Sequence, residues 1–259
     1  MIDMRGCDEA VKASVISFRA ETRFIRVYIY WMAMDTFGNV PFTTEESPLG
    51  GGFIPTQTPR VELFNYIVGE LNAIAASGDM PAAQSNYPRA DIGSVYGLLA
   101  RLYLNAEVYT GTAQWGKAAE YAQKVMNSSY KLHTAGKNGW SAYQMLFMGD
   151  NGESDAAYEC VFPILQDGLT TTSWGTSLFL MASTYDADMH SNPNDAVATN
   201  GTDQNWGGNK ARPDLIKKFF PNGNAPQVNA YNMAEAAGDD RALFDGVGRE
   251  SIENSKGYL

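Results

Sequence analysis

From Phe24 to Met34 almost every residue is apolar, and no other stretch constrains the fold of this chain so tightly. The run sits inside a longer pattern. Val15, Phe18, Thr22, Ile25, Ile29 and Met32 recur at alternating three- and four-residue steps, the spacing that lines one face of an α-helix. Tyr28, Tyr30 and Trp31 fill other faces, so the helix is expected to be buried from more than one side. Gly38 and Pro41 are expected to end it.

Three more helices follow from the same rule. A second is expected from Thr58-Pro59, with Thr58 as cap and Pro59 at the first helical position. Its stripe is Val61, Phe64, Ile67 or Val68, Leu71 and Ile74, ending before Ser77-Gly78. Asp91 is placed to cap a third, with Ile92, Val95, Leu99, Leu102 and Ala106 on one side. A fourth carries Trp115, Ala118, Ala122 and Val125. The short connection Tyr109 to Ala113 makes the last two antiparallel neighbours. Trp115-x-x-Ala118-x-x-Tyr121-Ala122 is the kind of pattern found in tetratricopeptide-type hairpins, although an ordinary helical hairpin has the same spacing.

Beyond about residue 130 the periodicity is lost and Gly, Asn, Ser, Thr and Asp become dense. Val161 to Leu165 reads as a short strand, and residues 166–211 as mostly loop. Helix is expected again near Pro213, with Leu215, Ile216, Phe219 and Phe220, and near Asp239 to Phe244. Two cysteines, Cys7 and Cys160, are too few for a disulfide scaffold, and Cys160 lies in an apolar run that suits a buried free thiol.

The net charge of −10 comes without a basic cluster, which argues against a nucleic-acid or anionic-lipid partner and suits a neutral ligand. No nucleophile elbow or phosphate loop is present. His133 and His190 read as exposed loop residues, and Asp150 to Asp155 as a solvated turn that lacks the ligand spacing of a calcium loop. No metal or cofactor is expected, and no spacing among the 29 acidic residues selects a glycosidase pair.

What remains are tryptophans in polar, glycine-rich surroundings: Ser173-Trp174-Gly175 and Asn205-Trp206-Gly207-Gly208. A ring displayed from such a loop can receive the C–H face of a sugar while Asn, Gln and Asp side chains reach the hydroxyls. Covering roughly 50–100 Å² of apolar surface per ring is worth about 1–2.5 kcal/mol. Two rings alone would hold a short oligosaccharide at about millimolar strength or weaker. A glycine-flanked Trp can equally anchor a loop to its own core, and the spacing does not decide between the two.

Several blocks resemble the SusD/RagB family of glycan-binding outer-membrane lipoproteins. They are Ala20 to Arg26 with Asp35 to Phe42, then Leu99 to Ala106, the Trp115 to Val125 helix and Tyr130-Lys131-Leu132. Leu146-Phe147-Met148 with Asp150-Asn151, Phe162-Pro163-Ile164 with Gln166-Asp167-Gly168, and Ala236 to Leu243 continue the series in order. The resemblance implies an all-α fold of tetratricopeptide-like hairpins with long irregular loops. It implies one domain over 1–259, with a helical core at 10–130, a loop-rich glycan-binding region at 131–211 and further helix and loop at 212–259.

By the same resemblance Trp174 and Trp206 are saccharide-stacking rings, with Asn205 and Tyr185 as substrate-binding neighbours. The implied function is capture without bond cleavage of an oligosaccharide, an α-glucan such as starch, at the cell outer membrane. Delivery would be to a SusC-like TonB-dependent transporter. The family's signal peptide, lipid-bearing cysteine, amino-terminal sugar contacts and carboxy-terminal helices have no counterpart here, so the chain reads as truncated at both ends. A peptide-binding helical-repeat adaptor and a glycoside hydrolase are the rival readings.

Overall fold

The computed structural model describes residues 6–48, 50–167, 169–171, 176–184, 206–223 and 225–247. Helices dominate them, and the all-α expectation holds. Two compact units can be separated: Met1–Leu132 with Tyr158–Ile164, and His133–Ala157 with Leu165–Leu259.

The first unit is built on α1 (Glu9–Phe37), which Asp8 starts by accepting a hydrogen bond from the Val11 amide at 2.8 Å. Gly38 ends it with φ 76°, a conformation only glycine adopts cheaply. Two residue pairs, β1 (Val40–Pro41) and β2 (Gln57–Thr58), form a short antiparallel ladder that returns the chain to α2 (Arg60–Ser77). Thr58 is therefore a strand residue and not a cap. The free Arg60 amide donates to the Asn39 side chain at 2.8 Å instead. A capping box formed by Asp91 and Ser94 opens α3 (Ile92–Leu104), followed by α4 (Ala106–Thr110) and α5 (Trp115–Met126).

The face that α1 buries is a correction to the sequence reading. Ala20, Phe24, Val27, Trp31 and Met34 enter the core, together with Leu63, Phe64, Ile67, Leu71 and Ile74 of α2 and Val95, Leu99 and Leu102 of α3. Phe18, Ile25, Ile29 and Met32 point away from it and are exposed. Both stripes have helical spacing, and periodicity alone cannot rank them. The buried one carries the two large rings that fill the space against α2 and α3. On α5 only Ala118 is fully buried, while Trp115 is exposed and Tyr121 covers the seam by stacking on Tyr103 at 5.7 Å.

Polar ties cross this core. Glu70 accepts from Arg23 (3.0 and 3.1 Å) and from Arg26 (3.0 Å), and those bonds hold its carboxyl below the ordinary range. The buried Asp91 also accepts from the Gln84 amide and, at 2.7 Å, from the Tyr130 hydroxyl. Burial, reinforced by Asp91, pushes the Tyr130 phenol far above its usual value.

Val161–Leu165 forms no strand. The Val161 carbonyl instead accepts from Ser94 (2.9 Å) and Tyr130 (3.0 Å), and Phe162 packs edge-on against Phe24 and Tyr28. Cys160 beside it is a half-buried free thiol whose pKa is raised by burial, and Cys7 is also free.

In the second unit, α6 (Ala142–Met145) is followed by a 3-10 turn (Asn151–Glu153) that Asp150 and Ser154 flank, and a further 3-10 turn (Asp155–Glu159) leads back into the first unit. Then come α7 (Thr176–Thr184), α8 (Pro213–Phe219) and α9 (Ala230–Ala237). Helix α7 lies inside the stretch expected to be loop. The last helix ends at Gly238, so Asp239–Phe244 is the turn after a helix, not a helix itself. Ile216, Ala225, Met233 and Ala242 form a small core here, bordered by Phe219, Phe220 and Phe244. His133 is half-buried rather than exposed, and His190 lies outside the described residues.

Candidate functional site

Residues 206–209 are fastened to the end of α7 chiefly through the main chain. The Trp206 amide donates to the Ala182 carbonyl at 2.7 Å, and the Asn209 amide donates to the Ser183 carbonyl at 2.7 Å. A third bond runs from the Asn209 side-chain amide to the Ser183 hydroxyl at 2.8 Å. Ala182 and Ser183 are buried, and their carbonyls belong to the last turn of α7, where acceptors have no partner within the helix. Gly207, with φ 63°, makes the left-handed turn between the anchors.

These bonds leave the indole of Trp206 facing outward. It is 48% exposed, and the ring of Phe179 of α7 lies beside it, with centroids 5.2 Å apart and planes at 68°. Phe179 is as open as the indole, and Leu180 beside it is 57% exposed. The result is an apolar surface with one wide flat ring, one ring nearly perpendicular to it, and an aliphatic side chain. Nothing titratable belongs to this group of three. It can take a flat apolar face; it offers no nucleophile or proton carrier.

Of the four site residues expected from the sequence, only Trp206 falls among the described residues, and it is displayed. Trp174, Tyr185 and Asn205 lie outside them. The chain approaching Trp174 is organised by Asp167. Its carboxylate accepts from the Thr170 hydroxyl and from the amides of Leu169, Thr170 and Thr171, each amide at 2.8 Å. The Thr170 hydroxyl first, and then these amides, hold the carboxyl far below its usual range.

Sequence reasoning missed Phe179 and Leu180, whose apolar helical context reads as core. It also passed over Trp140. That side chain stands after Asn138-Gly139, both with positive φ, in a two-residue turn closed by the Lys137 and Trp140 backbones at 3.0 Å each way. The glycine-flanked setting used to select Trp174 and Trp206 applies equally to it. Among the described residues no group of His, Cys, Asp and Glu is placed to hold a metal ion, and no helix is long and apolar enough to cross a membrane.

With this geometry in place, comparison with known proteins points to a class: the chain is similar to SusD-like proteins. Starch-binding protein SusD of Bacteroides thetaiotaomicron is 37% identical over 265 aligned residues, covering 91% of this chain and 44% of that protein. This chain thus spans less than half the length of the curated relative it matches. No family profile matches it.

Among solved structures, a laminarin binding SusD-like protein superposes with a TM-score of 0.61 at 20% identity, covering 90% of this chain and 49% of that one. A SusD-like protein from Bacteroides fragilis gives 0.57 at 18% identity, over 82% and 36%. Identities this low establish shared fold and nothing finer, and they bear out the tetratricopeptide-like expectation.

Proposed function

We propose that this chain binds an oligosaccharide without cleaving it, with the indole of Trp206 as a stacking surface for one sugar unit. The observation that carries the reading is the combination of a backbone-anchored loop and a half-open indole. A ring needed only as a plug would turn inward, whereas this one stays about half in water on a backbone tied to α7. Fixing the ring before the ligand arrives removes the ordering cost that weakens binding by mobile loops. Relationship to a protein named for starch binding, and a shared fold with one named for laminarin binding, support a glucan as the ligand.

The fuller assignment is ours as well. Trp174 supplies a second ring, Asn205 and Tyr185 supply polar contacts, and the ligand is an α-glucan. The protein works at the cell outer membrane through a lipid anchor on the full-length form, and passes its ligand to a SusC-like TonB-dependent transporter.

The test is titration of the 259-residue chain with maltoheptaose and with laminarin oligosaccharides, wild type against Trp206→Ala. Losing one stacked face should weaken binding by about tenfold at unchanged thermal stability. Equal affinity in the two proteins sinks the assignment of Trp206. Release of reducing ends from starch, abolished by one carboxylate substitution, would overturn the non-enzymatic part.

A further inference from the structure

Phe179 shares the surface with Trp206 and has so far been given no task. Helix α7 has an inner side, marked by the buried Ala182 and Ser183 whose carbonyls hold residues 206 and 209. Phe179, three and four residues earlier on the same helical face, is nevertheless 48% exposed. Its ring stands out beside the indole, half in water, when a phenylalanine with a purely structural role gains most by full burial. Leu180 continues the same open surface.

We propose that Phe179 is a second saccharide-contacting ring, meeting the sugar unit next to the one that lies on Trp206. This rests on the glycan-binding reading of Trp206 given above. A centroid separation of 5.2 Å is comparable with the width of one pyranose, so a chain lying on the indole carries its neighbouring unit onto the phenyl ring. The planes meet at 68°, so one flat glycan face cannot lie on both rings. The second unit must turn relative to the first, or present its edge C–H groups to the phenyl face. Either contact uses the negative face of the ring, which an aliphatic side chain of equal bulk does not have.

That difference makes the proposal testable apart from packing. Phe179→Leu keeps most of the volume that braces Trp206 but has no ring, Phe179→Tyr keeps the ring, and Phe179→Ala removes both. Maltoheptaose and laminarin oligosaccharides would be titrated by calorimetry against each variant of the 259-residue chain, with melting temperatures recorded alongside. Phe179→Leu and Phe179→Ala should bind about five- to tenfold more weakly, and Phe179→Tyr within about twofold of wild type.

If Phe179→Leu binds like wild type while Trp206→Ala does not, Phe179 only braces the indole and this inference is wrong. Failure of Tyr to restore binding overturns it too, because a ring alone was then not what mattered. If Trp206→Ala binds normally, or wild type takes neither glucan, the underlying reading has failed and this one falls with it. Should Phe179→Ala not fold, the Leu and Tyr variants still decide.

Discussion

In the helical unit Phe24, Phe64 and Trp31 lie inside the core, where Phe24 meets Phe162 edge-on at 5.1 Å. In the second unit Trp206 and Phe179 make an edge-on pair at nearly the same separation, and each stays half in water. The ring geometry is alike and the surroundings differ. Inside, rings are held by apolar neighbours on several elements, so their removal leaves a cavity. Outside, the indole is held by two main-chain bonds to α7, so its removal leaves the anchors intact. Stability should therefore reside with the first group and binding with the second.

The strongest challenge to that contrast is Phe24→Ala. Emptying a fully buried phenyl site should lower the unfolding free energy by about 3–5 kcal/mol, read by denaturant titration. A loss below about 1 kcal/mol would mean that the core can close over the gap and that the contrast is overdrawn. Next comes Asp91→Ala, which removes the cap of α3 and the acceptor that the Gln84 amide and the Tyr130 hydroxyl share. About 2–4 kcal/mol should be lost, measured in the same way.

Glu70→Gln weakens its bonds to Arg23 and Arg26 and should cost about 1 kcal/mol near neutral pH. The pH dependence has a definite sign. The Arg23 hydrogen bond, above all, holds the folded-state pKa of Glu70 below that of an ordinary glutamate, so its contribution is complete above the ordinary glutamate range. It is lost as pH falls through the lower folded value, and the wild-type and Gln stability curves should converge there. Curves that stay parallel through that range would remove Glu70 from the account.

Trp206→Ala should cost less than about 1 kcal/mol in stability while weakening glucan binding, the reverse of Phe24→Ala. Smallest of all, Ile29→Ser on the outward stripe of α1 should change unfolding by no more than about 0.5 kcal/mol. A larger loss would show that this face is covered in solution.

The regular unit was largely legible from sequence because local signals coincided there. Asp91 with Ser94, Gly38 and Gly78 mark real helix ends, and the α2 and α3 stripes face the core nearly as read. What was not legible depends on partners distant in sequence. Nothing near Ile25 or Phe24 says which of two apolar stripes meets α2. Nothing near Val161 says that its carbonyl will be claimed by Ser94 and Tyr130 instead of by a strand. Trp206 could be found because its polar neighbours offer an indole no core. Phe179 could not, since Leu178-Phe179-Leu180-Met181 reads as buried wherever it lies.

The fastening of residues 206–209 has one more consequence. Two main-chain bonds to α7, with a third from the Asn209 side chain, fasten the backbone of the segment. The position therefore behaves like a socket. Tyrosine, phenylalanine or histidine could be seated there without refolding the mount, each offering a different shape and polarity to what it meets. Ligand preference could drift through exchange of that single fixture while the scaffold beneath it stayed unchanged.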